Sequence, residues 1–158
     1  MRTDLITRVG LNKLRDELDN LWKVERPATT KKVAWAASLG DRSENADYQY
    51  NKKRLREIDW RVRYLRKRLE VLKIVDYSES QEGKAYFGAW VEIINQAGET
   101  KKFRIVGYDE IFGRSDYISI DSPMARACLG RSIDDEVTLT IETGIYIWII
   151  SKLYYCQD

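Results

Sequence analysis

Two stretches decide how this chain folds: Leu11-Asn12-Lys13-Leu14-Arg15-Asp16-Glu17-Leu18-Asp19-Asn20-Leu21 and Leu55-Arg56-Glu57-Ile58-Asp59-Trp60-Arg61-Val62-Arg63-Tyr64-Leu65-Arg66-Lys67-Arg68-Leu69-Glu70-Val71-Leu72. In both, an aliphatic residue returns every three or four positions with charged residues between, which is the a/d seam of a coiled coil. Adding positions tests for antiparallel pairing. Leu11 with Leu72, Leu14 with Leu69, Leu18 with Leu65 and Leu21 with Val62 each give 83. Further inward the same rule pairs Glu25 with Ile58, Ala28 with Leu55 and Trp35 with Tyr48. The constant sum puts the fold-back between Asp41 and Arg42, inside Leu39-Gly40-Asp41-Arg42-Ser43-Glu44-Asn45, the best turn signal of this half. The spacing predicts an antiparallel helical hairpin over residues 8–75, started by Thr7 as N-cap and kinked at Pro27. Each arm has about 30 residues, roughly 45 Å at 1.5 Å per residue.

From about residue 83 the period becomes two. Strand-like runs are Ala85–Ile94, Lys101–Val106, Tyr117–Asp121, Glu136–Ile141 and Ile145–Leu153, with turn signals at Gln96-Ala97-Gly98 and Glu142-Thr143-Gly144. Ser122-Pro123 before Met124 and Gly130 after Leu129 punctuate one short helix. The expected class is α+β: a coiled-coil finger over 1–76 with its acidic tip at 41–44, a linker over 77–84, and a small antiparallel β domain with one helix over 85–158.

The whole chain has 158 residues, 27 Lys+Arg, 25 Asp+Glu and no histidine. Lack of histidine excludes Ser-His-Asp and Cys-His catalysis and every histidine-containing zinc site, and two cysteines exclude a four-thiolate one. Cys128 and Cys156 are expected to be reduced thiols. The start of the sequence lacks the apolar region of a signal peptide, and the run Ile145–Ile150 is too short to span a bilayer, so a cytoplasmic protein is expected. Net charge is unevenly placed: residues 1–76 carry 19 basic and 12 acidic side chains, residues 77–158 carry 8 and 13. That asymmetry implies two modules with differently charged partners.

At the tip, Asp41 and Glu44 stand three positions apart in a turn, with Asp47 one turn further on. Two carboxylates so placed can converge on a hard cation such as Mg²⁺, which takes one or two carboxylates and completes its shell with water and phosphate oxygens. The blander reading is a polar turn capped by Ser43. Behind the tip, residues 51–70 hold nine basic and three acidic side chains, with Tyr48, Tyr50 and Trp60 interleaved. Lys52, Lys53, Arg54, Arg56 and Arg61 are the candidate nucleic-acid contacts, since the three local acids cannot neutralise nine bases. Acidic residues at the point of a basic arm would repel phosphates unless a metal mediates.

Trp35-Ala36-Ala37-Ser38-Leu39-Gly40-Asp41-Arg42-Ser43-Glu44-Asn45-Ala46-Asp47-Tyr48-Gln49-Tyr50 resembles the tip of the bacterial Gre transcript-cleavage factors, whose shared pattern is Gly-Asp-x-x-Glu-Asn-Ala-x-Tyr. Phe103-Arg104-Ile105-Val106-Gly107-Tyr108-Asp109-Glu110 and Ser119-Ile120-Asp121-Ser122-Pro123-Met124-Ala125-Arg126-Ala127 resemble the family's second domain, so the likeness spans nearly the whole chain. Arg42-Ser43, the Tyr48/Tyr50 pair and the basic second arm resemble the GreB branch, while the tail after about Ala127 departs from its usual ending. The resemblance implies an FKBP-like C-terminal domain that docks on the rim of the RNA polymerase secondary channel through Asp121, Ser122 and Pro123. It implies a finger inserted into that channel when the polymerase has backtracked, with Asp41 and Glu44 helping to hold the second Mg²⁺ and position the attacking water. The basic arm would guide the extruded RNA 3′ end. The chain would then be a monomeric accessory factor rather than an enzyme, its cation shared with the polymerase. A secondary-channel regulator without cleavage activity and a stand-alone RNA- or DNA-binding hairpin are the alternatives; prolyl isomerase activity rests on fold analogy alone.

Overall fold

The computed structural model describes residues 2–156. Two units emerge, Leu11–Val71 and a second formed by the segments on either side of it in the sequence.

The first unit is the helical hairpin. Helix α1 (Arg8–Asn20), a π turn (Leu21–Glu25) and helix α2 (Arg26–Ser38) make the first arm; helix α3 (Ala46–Val71) is the second. Thr7 caps α1, its Oγ1 accepting from the Gly10 N–H at 3.0 Å. Where the sequence predicts a kink at Pro27, the first arm carries a π turn. Without an N–H the proline cannot donate to the carbonyl four residues back, and the helix widens just before it so that the Arg26 N–H bonds the Leu21 carbonyl. Leu11, Leu14, Leu21, Ile58, Val62 and Leu65 are buried, and Leu18, Leu55 and Leu69 are half-buried. A fully buried Ile58 or Leu65 contributes about 2–3 kcal/mol. Ion pairs that cross between the arms include Glu17–Arg61 at 2.6 Å, Glu25–Arg54 at 3.0 Å and Arg26–Asp59 at 2.8 Å. These are partly solvated, hence worth ~0.2–1 kcal/mol each. The seam supplies the stability and the ion pairs favour one register.

The second unit is a five-stranded sheet in the order β5 (Tyr117–Ser119), β4 (Thr100–Val106), β3 (Trp90–Ile94), β7 (Gly144–Tyr154), β6 (Glu136–Ile141). Its pairs are antiparallel except β4 with β5, where Ile105 faces Ile118 in a parallel ladder. One face packs Val91, Ile93, Phe103, Ile105, Val137, Trp148 and Ile150 against Ala125 and Cys128 of the short helix α4 (Pro123–Cys128). Burial pushes the Cys128 thiol up to about 11; Cys156 is exposed, and both thiols are free. The strand expected from Ala85 begins only at Trp90, because Gly88 takes a left-handed φ of +89° and Ala85 bonds instead to Arg131.

The domain limits differ from the sequence expectation on both sides. Leu5–Ile6 (β1) pairs in parallel with Lys73–Ile74 (β2), so the first ten residues and those after Val71 group with the sheet rather than with the finger. Residues 77–84, expected as a linker, also belong to the sheet unit. There the Tyr77 hydroxyl donates to Glu82 at 2.7 Å, Ser78 caps a 3₁₀ turn (Glu79–Gln81), and the Tyr155 hydroxyl donates to the Lys84 carbonyl at 2.6 Å. Polar composition made this stretch look like a linker, yet its polar groups are spent on local hydrogen bonds.

Candidate functional site

The hairpin turn is built by backbone conformation first. Gly40 has φ +85° and Asp41 φ +28°, and the Glu44 N–H closes back on the Asp41 carbonyl at 3.2 Å. A left-handed pair reverses the chain in few residues, and Gly is the natural occupant of its first position. Asn45, rather than Ser43, starts the second arm. Its Oδ1 accepts from the Tyr48 N–H at 3.0 Å as N-cap, while its Nδ2 donates to the Ala36 carbonyl at 2.7 Å. One side chain thus caps α3 and ties it to the end of α2. Gln49 adds a bond to the Arg42 carbonyl at 2.8 Å. The sequence pattern contained both residues, but their bracing role was not read from it.

On this braced turn Asp41 and Glu44 are exposed. Ser43 Oγ donates to Asp41 Oδ1 at 3.0 Å, restricting that carboxylate and leaving its second oxygen open. Arg42 and Lys52 lie 5.5 and 5.9 Å from the centre of the Tyr48 ring, so one cation from the turn and one from α3 share a single aromatic ring. The described residues hold no group of three or more carboxylate, thiol or imidazole ligands. Two exposed carboxylates fit a hard cation that receives its remaining ligands elsewhere.

Among the five candidate nucleic-acid contacts the structure makes a division. Lys52, Lys53 and Arg56 are exposed. Arg54 and Arg61 turn toward the first arm, Arg54 to Glu25 and Arg61 to Glu17 with two bonds of 2.6 and 2.9 Å. Arg68 goes further and is 8% exposed. The count of three acids against nine bases considered one arm alone, whereas Glu17 and Glu25 come from the other. A signal was present: Arg54, Arg61 and Arg68 recur every seven residues, the spacing of a position flanking the seam.

The third candidate set lies in the sheet unit. Asp121 accepts from the Thr3 N–H at 2.7 Å and also from the Thr3 hydroxyl. Burial opposes its charge, but the Thr3 hydrogen bonds and nearby Arg126 hold its carboxyl below the usual carboxylate range. Ser122 caps α4 by accepting from the Ala125 N–H at 3.3 Å, and Pro123 opens the helix with an exposed ring. Asp121 and Ser122 fix the loop; Pro123 is what it presents.

Residues 4–74 match the family model for the N-terminal part of this transcription elongation factor family, and residues 80–155 match that for the GreA/GreB C-terminal part. The latter match runs through the tail that departs from the usual sequence. Transcription elongation factor GreB of Pseudomonas putida is 67% identical over 157 residues, covering 99% of this chain and 97% of that protein. Its counterpart from Vibrio cholerae is 65% identical over 156 residues, covering 98% and 97%. Among solved structures, GreA factor homolog 1 of Thermus thermophilus aligns with 97% of this chain and 99% of its own at 21% identity, with a TM-score of 0.43. No helix among the described residues is long and apolar enough to cross a membrane. Since the two family matches together run from residue 4 to residue 155 with only a short gap, the chain belongs to the GreA/GreB family of transcription elongation factors.

Proposed function

We propose that this chain stimulates cleavage of the RNA 3′ end in backtracked bacterial RNA polymerase, entering the secondary channel with the hairpin turn foremost. The observation that carries the reading is the turn itself, where Asp41 and Glu44 are both exposed on a backbone braced by Asn45 and Gln49. A helix of 26 residues, α3, is about 39 Å long, enough to bring such a turn deep into a channel.

In this proposal Asp41 and Glu44 hold a Mg²⁺ shared with the polymerase active site and orient a water by accepting its hydrogen bonds. When bound, that cation supplies charge neutralisation for two-metal hydrolysis of a phosphodiester. Ser43 limits the rotamers of Asp41, lowering the entropic cost of holding the carboxylate in place. Lys52, Lys53 and Arg56 attract the extruded RNA backbone, and the loop ending in Pro123 docks on the polymerase rim. In this reading the chain is an accessory factor whose carboxylates serve the active site of the polymerase.

The test is RNA release from a stalled, backtracked elongation complex in Mg²⁺. Asp41→Asn with Glu44→Gln is expected to reduce cleavage to the rate of polymerase alone while polymerase binding is kept. Unchanged stimulation refutes the role of the tip. A factor that blocks nucleotide addition and releases no short RNA is instead an occluding regulator.

A further inference from the structure

The face of α3 opposite the seam carries Lys53, Arg56, Trp60, Arg63 and Lys67, spaced three or four apart and all exposed. No ion pair engages these four cations among the described residues, unlike Arg54 and Arg61 on the flank. At the centre of the stripe, Trp60 is 72% exposed. The other tryptophan near it along the hairpin is treated differently: Trp22 lies under Arg26 at 5.2 Å and Arg66 at 4.5 Å. No ring or cation covers Trp60 among the described residues. Trp60 also lines a shallow apolar groove with Lys53, Arg56, Glu57, Arg61 and Tyr64. Of the charges that line the groove, Glu57 is matched by Arg54 at 3.5 Å and Arg61 by Glu17.

We infer that Trp60 is a stacking site for one unpaired base of single-stranded RNA, with Lys53 and Arg56 on one side and Arg63 and Lys67 on the other contacting the flanking phosphates. An indole flanked by four cations without ion pairs matches what a nucleotide offers, a flat apolar face joined to anionic oxygens. A protein partner would need acids placed at each of four outward positions on a single helix face, together with an apolar insert. RNA supplies that alternation in every nucleotide. Trp60 lies fourteen residues beyond Ala46, about 21 Å along α3 from its start, so it engages RNA well behind the end being acted on. This deepens the reading above, because the strand is the RNA of that proposal, but it is testable without polymerase.

The experiment measures binding of the full chain to a fluorescent ten-nucleotide oligouridine and to an abasic strand of equal length, by anisotropy across a salt series. Trp60→Ala is expected to weaken oligouridine binding roughly 5- to 100-fold, the range for loss of one stacked base, and to leave abasic binding and the salt slope unchanged. Trp60→Phe should keep most of the affinity. Lys53→Ala with Arg56→Ala should reduce the salt slope by about 1.4 on both strands, roughly 0.7 per lost phosphate contact on a single strand. Equal binding of oligouridine by Trp60→Ala and the unaltered chain overturns the inference. So does an equal loss on both strands. Failure of the cleavage proposal would show in the Asp41/Glu44 assay and leave these affinities untouched.

Discussion

Gly10→Ala offers a prediction whose sign runs against helix propensity. Gly10 lies in the first turn of α1, where alanine ordinarily gains about 1 kcal/mol over glycine. Here a Cβ would stand 2.6 Å from Glu110 Cδ and 2.7 Å from its Cγ. The Glu110 side chain can swing away, so the overlap alone is cheap. What it abandons is not. Its carboxylate accepts from the Thr7 N–H at 3.1 Å, the Thr7 hydroxyl and the Gly107 N–H at 2.9 Å. At about 1–1.5 kcal/mol each for partly solvated bonds to a charged acceptor, roughly 3–4 kcal/mol is lost. Set against the propensity gain, Gly10→Ala should destabilise by about 2–3 kcal/mol. In a Glu110→Ala background the same change should stabilise by about 1 kcal/mol. Urea unfolding of the four proteins of this double-mutant cycle measures both values and the coupling between them. If Gly10→Ala stabilises the otherwise unaltered chain, Glu110 does not hold the start of α1 and the reasoning fails.

Arg61→Ala should cost about 0.5–1 kcal/mol through loss of the Glu17 pair yet barely change the salt dependence of oligonucleotide binding, whereas Arg56→Ala should do the reverse. Unfolding melts and anisotropy titrations on the two variants decide it. Acid stability forms another check. The Arg8 guanidinium, bonded to Asp76 at 2.9 and 3.1 Å, lowers the Asp76 carboxyl below its ordinary value, and Arg114 does the same for Asp116. A depressed folded-state value contributes stability that is complete above the ordinary carboxylate value of 3.8 and drains away as pH falls through the lowered one. Urea midpoints should therefore drop on acidification below about pH 4, and Asp76→Asn should flatten part of that fall.

The hairpin was legible because helical periodicity is a long-range signal: six seam positions in one stripe agree with four in the other, and no local accident supplies that. The tip was legible because a left-handed turn needs Gly40 and because its carboxylates stand in a short, distinctive pattern. What escaped was pairwise. Arg54 and Arg61 looked available for phosphates because their partners, Glu17 and Glu25, lie far away in sequence. The two-residue strands Leu5–Ile6 and Lys73–Ile74 are too short for any alternation to show, and without them the N-terminal segment seems to belong to the finger. In the sheet, strand existence followed from period-two patterning. The parallel placement of Tyr117–Ser119 beside Thr100–Val106 did not, since a pattern of alternating burial carries no direction.

The side-by-side lie of Leu5–Ile6 and Lys73–Ile74 makes residues 7–72 an excursion that leaves and returns at one place. Loop-closure entropy grows only with the logarithm of length, so adding or deleting residues there costs the clasp little. Matched changes of seven residues in each arm preserve the seam and move the turn by about 10 Å. The length of the hairpin is therefore a nearly independent variable of this architecture, open to adjustment by insertion and deletion while the sheet that closes it keeps its register.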